Sequence, residues 1–285
     1  MLINPVHPSV VTVHDLGSLI LPDEKKMLDP IGRLFLHLSL AGLRRTDRII
    51  CVSEFTRQSV IQHLHLPADQ VVTIPSGIDM ECFHPVQHAR SKIAQKYPQL
   101  NGHAGPWLLY VGSELPRKNL GVLWEALAVL RVNHPNLLLI KIGAPGGDRF
   151  RQASIQAIRA LNLEDVTFFN EGITNSDLAL FYNAADLLVH PSKLEGFGFP
   201  VLEAMACGTP VVCADAGSLP EVSGGAAFLA PPEDVATWVN KIELLLNSPD
   251  LYHELQQKSL SNANKYSWNN TSTATFHLYH KLVSS

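Results

Sequence analysis

The chain has 285 residues, which is room for about two ordinary domains. Its 46% hydrophobic and 17% charged residues are typical of a soluble globular enzyme and exclude a collagen, a disordered tail and a disulfide-rich miniprotein. With 22 Lys and Arg against 26 Asp and Glu, the formal charge is −4, which argues against nucleic acid as a partner.

The cysteine content and the lengths of the apolar runs bear on the cellular location of the protein. The chain has 4 cysteines and no Cys-x-x-Cys pair, so we expect reduced and mostly buried thiols. No run approaches the roughly 18 apolar residues that span a bilayer, and the N-terminus lacks the pattern of a signal peptide. We therefore expect a cytoplasmic protein.

Residues 1–84 contain three short apolar runs separated by helical patterns. We predict strands at Val10–Val13, Ile49–Val52 and Val71–Ile74, with helices at Ile31–Arg45 and after Ser53. This is about half of a doubly wound α/β domain, because nothing before Val10 supplies a first strand and its glycine turn. We therefore expect a partial N-terminal domain.

From Pro106 onward, short apolar runs alternate with longer amphipathic ones. Strands are predicted at Trp107–Val111, Leu137–Ile142, Val166–Phe169, Leu187–Val189, Val211–Cys213 and Ala226–Leu229. Apolar strands separated by helices indicate a parallel sheet covered on both faces. Residues 85–265 are therefore predicted to form a complete doubly wound domain. The polar segment Phe83–Gly105 is expected to be a linker, and residues 266–285 a helix that crosses back to the first domain.

The strongest chemical signal is the segment from Glu195 to Glu203. Gly196 and Gly198 let backbone N–H groups approach a ligand, and Pro200 suits the first position of a helix whose N-terminus attracts phosphate. Glu203 is expected in the first turn of that helix, where it can accept hydrogen bonds from vicinal hydroxyls. Because two carboxylates flank the glycines at the end of a strand, we favour a ligand site over an ordinary strand-to-helix turn.

Arg117 and Lys118 follow the first strand of the same predicted domain. The carboxyl ends of parallel strands share one edge, so we expect both cations to face the same crevice as Glu195 and Glu203. Two cations near a helix N-terminus suit a diphosphate leaving group, on which negative charge accumulates. The alternative is an ordinary pair of solvated surface cations.

Six segments in order along nearly the whole chain resemble the group 1 (family 4) retaining glycosyltransferases. They are Glu195-x7-Glu203, Val111-Gly-x4-Arg-Lys-Asn119, Thr12–Leu16, Val52–Arg57, Ile74–Asp79 and Ser218–Val222. Only the first is specific by itself. The resemblance implies the GT-B fold, two Rossmann-like doubly wound domains of which the N-terminal one is incomplete here. The C-terminal domain would hold a nucleotide-sugar donor and the N-terminal one the acceptor.

The resemblance also implies roles for individual residues. Glu203 would bind the ribose hydroxyls, and Glu195 the hydroxyls of the transferred sugar. Arg117 and Lys118 would bind the diphosphate, and His14 would reach the donor sugar from the opposite domain. Further donor contacts are expected at Gly112, Ser113, Gly172, Ile173, Gly198, Phe199, Pro200 and Val201.

Some of these contacts have a more specific expected form. Backbone amides around Phe199, Pro200 and Val201 would serve the sugar and phosphate, and Gly172 and Ile173 would lie against the base. Some family members carry an arginine where Ser113 stands, so one phosphate contact of those relatives is expected to be absent.

The resemblance implies a metal-independent reaction with retention of configuration through a front-face substitution. No Asp-x-Asp pair is present, so Arg117, Lys118 and helix amides would meet the leaving-group charge without a metal or other cofactor. In its overall sequence character the chain most resembles bacterial mannosyltransferases of polysaccharide biosynthesis. We therefore expect a hexose donor, GDP-mannose first, and a sugar or lipid-linked acceptor.

Three alternatives stay open. The chain could be a donor-binding subunit or inactive fragment that needs a partner chain to complete its N-terminal domain. It could be a GT-B epimerase or phosphorylase, although no pyridoxal-phosphate lysine or second phosphate site is evident. The leucine-rich helix at Ile31–Arg45 also leaves peripheral membrane contact open, although burial against the sheet explains its leucines more simply.

Overall fold

The computed structural model describes residues 6–284, except for the side chain of Asp23. The strands are β1 (Val10–Val13), β2 (Arg48–Cys51), β3 (Val71–Thr73), β4 (Trp107–Val111), β5 (Leu138–Ile142), β6 (Thr167–Asn170), β7 (Leu187–His190), β8 (Val211–Ala214) and β9 (Phe228–Ala230). The helices are α1 (Gly17–Ile20), α2 (Pro22–Met27), α3 (Pro30–Leu43), α4 (Glu54–Leu64), α5 (Ala89–Lys96), α6 (Leu120–Asn133), α7 (Asp148–Ala160), α8 (Asn175–Ala184), α9 (Phe199–Ala206), α10 (Leu219–Ser223), α11 (Val235–Asn247), α12 (Pro249–Ala263) and α13 (Trp268–Val283).

Helix α5 corrects one prediction, because it lies inside the polar segment expected to be a linker. Ala89 and Ile93 are its buried residues, so its sequence shows almost no apolar stripe. An ion pair between Lys96 and Asp177 of α8, at 2.5 Å, adds to its packing. A mostly polar helix held in this way escapes detection by hydrophobic periodicity.

Contacts between residues divide the chain into two units. The first unit comprises the chain up to Gly77 together with Leu194–Phe197 and the segment from Tyr266, and the second comprises Ile78–Lys193 and Gly198–Lys265. The domains drawn from the sequence, 1–84, 85–265 and 266–285, stay a prediction. Their outermost residues, 1–5 and 285, lie outside the described part of the chain.

The first unit contains a parallel sheet in the order β1-β2-β3. Val10 of β1 is in register with Arg48, and Ile49 of β2 with Val71. The sheet's core includes Ile49 and Val71, packed with residues of α3 and α4. Helix α13 belongs to this unit, and its N-terminus lies so close to Gly77 that a Cβ there would be 2.2 Å from the Trp268 nitrogen.

The second unit contains a parallel sheet in the order β6-β5-β4-β7-β8-β9. Its central strands are buried on both faces, with Leu109, Ile140 and Val212 among the fully buried residues, whereas β6 at one edge is only partly buried. The order reverses between β4 and β7, which makes the carboxyl ends of these two strands the switch point where open α/β sheets bind ligands. Within residues 6–284, no helix is long and apolar enough to cross a membrane.

Candidate functional site

Two loops meet at the switch point of the second unit. The Lys193 N–H, just after β7, donates to the carbonyl of Arg117, after β4, at 2.8 Å. The Asn119 side chain donates to the Pro191 carbonyl at 3.2 Å. These bonds hold Arg117 and the buried Lys118 beside the loop that follows β7. The structure therefore brings the two predicted phosphate-binding cations to the predicted edge of the sheet.

Helix α9 begins at Phe199, one residue earlier than the position that Pro200 was expected to mark. Gly198 is its N-cap in the left-handed region at φ +104°, and a Cβ there would be 2.8 Å from the Leu219 side chain. Pro200 is consequently the second helical residue and has no N–H to donate. The Val201 N–H donates to the Gly198 carbonyl at 3.0 Å. The helix N-terminus still carries the partial positive charge that favours phosphate.

Glu203 corrects a second expectation, because it is the fifth residue of α9 and so lies beyond the first turn. The earlier helix start places it there. The hydroxyl of Tyr182 on α8 donates to Glu203 Oε2 at 2.7 Å. Burial raises the pKa of Glu203 above its ordinary value of 4.5, although the hydrogen bond from Tyr182 opposes that shift.

Gly112 and Ser113 form the turn directly after β4. Gly112 has φ +150°, and a Cβ there would be 2.7 Å from the hydroxyl of Tyr110. That hydroxyl donates to the Ser113 carbonyl at 2.7 Å, so the turn is held against the end of the strand. Gly172, after β6, has φ +66° and open space where a Cβ would be, and Ile173 follows it.

Glu195 belongs by its contacts to the first unit, as does His14. A Cβ on Gly196 would lie 1.7 Å from the carbonyl oxygen of His14, so only glycine permits this approach. The hydroxyls of Ser53 and Thr56 donate to the Gly196 carbonyl at 2.6 and 3.0 Å. The structure thus places the backbone beside Glu195 against the end of β1, where the exposed His14 stands.

Sequence reasoning missed the contacts of Ser53 and Thr56 with Gly196. Ser53 was only part of a family motif, Val52–Arg57, without an assigned role. It is also the N-cap of α4, accepting from the Thr56 N–H at 3.1 Å. A serine that caps a helix is an ordinary local signal, and its second partner 143 residues away has no local signature.

A buried ion-pair network joins the loops after β4 and β6, and sequence reasoning missed it as well. Lys141 is fully buried in β5, and its ammonium lies 2.9 Å from Glu114 Oε1. Arg151 of α7 contacts Glu114 at 2.8 Å and Glu171 at 2.5 Å. The available signal was a lysine inside the otherwise apolar strand from Leu138 to Ile142.

The network shifts the ionisation of its buried members. Burial alone would raise the pKa of Glu114, but hydrogen bonds from Lys141, Ser154 and Arg151 outweigh it and lower that pKa. Burial lowers the pKa of Lys141, and the pairing with Glu114 opposes this. Glu114 lies in the turn that leads to Arg117 and Lys118. Its ion pairs with Lys141 of β5 and Arg151 of α7 therefore hold that turn in place.

Solved structures with the same two-sheet α/β architecture include known sugar-transferring enzymes. Sucrose-phosphate synthase from Thermosynechococcus elongatus superposes with a TM-score of 0.82 and 26% identity, over 96% of this chain and 68% of that one. HepE from Anabaena, solved with UDP and glucose, has a TM-score of 0.78 at 23% identity and shows the fold alone. The fold is therefore that of a GT-B glycosyltransferase, which confirms the predicted fold class.

The family follows from sequence matches. The model for glycosyl transferases group 1 matches residues 94–262, and that for glycosyltransferase family 4 matches residues 3–81. The chain belongs to the group 1 glycosyltransferases, as its motifs predicted.

Two curated relatives from Escherichia coli are mannosyltransferases by name. The O-antigen chain mannosyltransferase B is 32% identical over 281 residues, 96% of this chain and 70% of that protein. The serotype-specific mannosyltransferase WbdA is 31% identical over 97% of this chain, which spans 34% of WbdA.

Proposed function

We propose that this chain transfers a hexose from a nucleoside-diphosphate sugar to a sugar or lipid-linked acceptor, with retention of anomeric configuration. The observation that carries the proposal is the arrangement at the switch point of the second unit. There, Arg117 and Lys118 are hydrogen-bonded through their loop to the segment after β7, and α9 with Glu203 follows shortly after. A cationic loop, a helix N-terminus and a carboxylate together match a nucleoside diphosphate.

The donor's diphosphate is assigned to Arg117, Lys118 and the N-terminus of α9. As the bond from the sugar to the diphosphate breaks, negative charge collects on the leaving oxygen. Fixed cations and helix dipoles stabilise that charge without having to reorganise during the reaction. Gly112 and Ser113 are proposed to line the phosphates, and Gly172 with Ile173 the base.

The transferred sugar is assigned to Glu195 and His14. Their proximity within the first unit supports this assignment, because the Gly196 backbone packs directly on the His14 carbonyl. A carboxylate accepts hydrogen bonds from sugar hydroxyls, and an imidazole can donate or accept one. Backbone groups at Gly198, Phe199, Pro200 and Val201, at the N-terminus of α9, are proposed to border the phosphates.

The reaction is proposed to need no metal. Arg117 and Lys118 would then supply the positive charge that a divalent ion supplies in other transferases. The departing diphosphate would accept the proton of the acceptor hydroxyl on the same face of the sugar, which gives retention.

Mannose is proposed as the sugar because the relatives just named are mannosyltransferases. The first experiment is a thermal-shift panel of GDP-, UDP- and ADP-sugars, followed by transfer assays with the donor that stabilises most. GDP-mannose is expected to give the largest shift. A larger shift with a UDP- or ADP-sugar would mean that this sugar is the donor and that GDP-mannose is not. No shift with any of these nucleotide sugars would overturn the proposal.

A second candidate function is a donor-binding subunit that another polypeptide completes. Within the described residues, β1 pairs with β2 alone, and a cavity of about 500 Å³ lies between β1 and α3. Leu40 of α3 is buried, and Leu36 and Leu43 pack against the core. Ile31, Leu34 and Phe35 of the same helix are 63%, 58% and 50% exposed. An open strand edge beside an uncovered apolar face favours association.

This candidate is tested with the purified chain. Nucleotide-sugar binding without transfer, together with self-association that Ile31→Ser and Phe35→Ser relieve, would favour it. Co-sedimentation with anionic vesicles, lost in the same variants, would instead favour the peripheral membrane contact that the helix left open. Transfer by a monomer that neither self-associates nor binds vesicles would contradict both the subunit candidate and the membrane contact.

A further inference from the structure

We propose that Tyr182 is a positioning residue that holds the Glu203 carboxylate in the orientation that receives the ribose hydroxyls of the donor. The inference rests on the proposed function, which assigns Glu203 to the ribose.

The two side chains are joined by a direct hydrogen bond of ordinary length. Tyr182 Oη donates to Glu203 Oε2 at 2.7 Å, across the 21 residues that separate α8 from α9. This is an ordinary O–H···O distance, and the bond is stronger whenever the carboxylate is ionised. The bond engages Oε2, so Oε1 does not take part in it.

Tyr182 is itself rigidly held. Its side chain is fully buried, and its ring meets the ring of Phe83 edge-on, with centroids 5.9 Å apart. The backbone is fixed too, because Thr209 Oγ1 donates to the Tyr182 carbonyl at 2.6 Å. A donor with so little freedom can fix the rotamer of a more flexible partner.

Orientation matters here because a glutamate side chain has three rotatable bonds. A carboxylate that accepts from two vicinal hydroxyls must present its oxygens in one plane toward them, and any other rotamer loses one of the bonds. Holding Oε2 on Tyr182 removes the entropy cost of selecting that plane when the ligand binds. The same hydrogen bond favours the charged form of Glu203, opposing the burial that raises its pKa.

The alternative to a positioning role is that Tyr182 contributes only its packing in the core. Tyr182→Phe separates the two readings, because it keeps the ring and removes Oη alone. Tyr97→Phe is the matched control. Tyr97 Oη donates to a different carboxylate, Asp177 Oδ2, at 3.2 Å, and its ring packs on Phe181 of the same helix α8.

The experiment measures the dissociation constants of GDP and 2′-deoxy-GDP by calorimetry, with UDP and 2′-deoxy-UDP in parallel. In the wild-type protein we expect the ribonucleotide to bind roughly ten- to hundred-fold more tightly, as for a hydrogen bond to a charged group. In Tyr182→Phe we expect that ratio to fall at least fivefold, with little change for the deoxynucleotide. Tyr97→Phe should keep the wild-type ratio.

The outcomes separate this inference from the function on which it rests. A wild-type ratio near one for both bases would mean that Glu203 does not read the ribose, and the proposed site would fail with it. A clear wild-type ratio that Tyr182→Phe leaves unchanged would overturn the role of Tyr182 alone.

A second comparison applies if Tyr182→Phe does not fold. Glu203→Met removes both the buried charge and the oxygen to which Tyr182 Oη donates. Adding Tyr182→Phe to Glu203→Met should then cause no further fall in the ratio. A further fall in the double variant would show that Tyr182 acts on the site through packing, which overturns the proposal.

Discussion

The hydroxyl of Ser53 donates a hydrogen bond of 2.6 Å to the carbonyl of Gly196. Through this bond the N-terminus of α4 holds the segment that carries Glu195 in the first unit. Thr56 donates to the same carbonyl, and the Gly196 Cα packs on the carbonyl of His14. Two residues proposed for one sugar therefore depend on a single glycine for their spacing.

Gly196→Ala is expected to damage both stability and transfer. Its Cβ would lie 1.7 Å from the His14 oxygen, so the two segments must move apart. Overpacking of this kind costs about 1–3 kcal/mol, and displacement of Glu195 should lower turnover more than a hundredfold. Gly121→Ala is the control, because a Cβ added at this second residue of α6 would meet open space, and no loss of stability is expected. Denaturant unfolding and transfer assays measure both effects; equal behaviour of the two variants would contradict the packing argument.

Lys118→Ala should abolish transfer while leaving the fold intact. Removal of a preorganised charge from a leaving-group site typically costs about a hundred- to thousandfold in turnover. Lys92→Ala, on the exposed surface of α5, should keep wild-type turnover. Thermal unfolding and donor kinetics of both variants make the comparison. Near-normal turnover of folded Lys118→Ala would show that the cation does not serve the diphosphate.

Lys141→Met is expected to destabilise the second unit by about 3–5 kcal/mol, because it removes one of the two cations that pair with the buried Glu114. The control is Lys258→Met, whose partner Glu254 lies one helical turn away on exposed α12. That pair should contribute no more than about 0.5 kcal/mol. Urea unfolding measures both values. A loss below about 1 kcal/mol in Lys141→Met would mean that Arg151 alone neutralises Glu114.

Glu203→Gln is expected to stabilise the protein at neutral pH. The folded-state pKa of Glu203 is raised above its ordinary 4.5, so the folded protein binds a proton over a window in which the unfolded chain does not. Stability that arises from this proton is present below pH 4.5 and is lost as the pH rises through the folded-state pKa. The advantage of Gln over Glu should therefore grow with pH across that window and level off above it. Urea unfolding from pH 4.5 to 8 measures the difference; an advantage that shrinks as the pH rises would contradict the sign.

EDTA should leave the rate of transfer unchanged. The proposed site meets the charge of the diphosphate with Arg117, Lys118 and the N-terminus of α9, so no divalent ion is required for that step. The rate is measured with and without chelator, and again after Mg²⁺ is added. Complete loss of activity that Mg²⁺ restores would place a metal in the mechanism.

Much of the fold could be read from local pattern. Apolar runs of four or five residues such as Trp107–Val111, separated by amphipathic stretches, specify buried parallel strands, and the structure has β4 at those bounds. Glycine and proline around α9 predicted a strand-to-helix turn, because the backbone preferences of these residues act on their neighbours along the chain. The boundaries were less predictable. The left-handed Gly198 starts α9 at Phe199, which moves Glu203 out of the first turn.

The amino-acid sequence alone was enough to establish the α/β class, the family and the loops at the sheet edge, because each depends on residues that are close along the chain. The partners of the charged and polar groups emerged only from folding. Ser53 meets Gly196, Lys141 meets Glu114, and Tyr182 meets Glu203 over separations of 143, 27 and 21 residues. No local propensity selects among distant donors and acceptors. Packing brings particular pairs together and removes water from them, and the cost of leaving a buried group unpaired then selects the arrangement that remains.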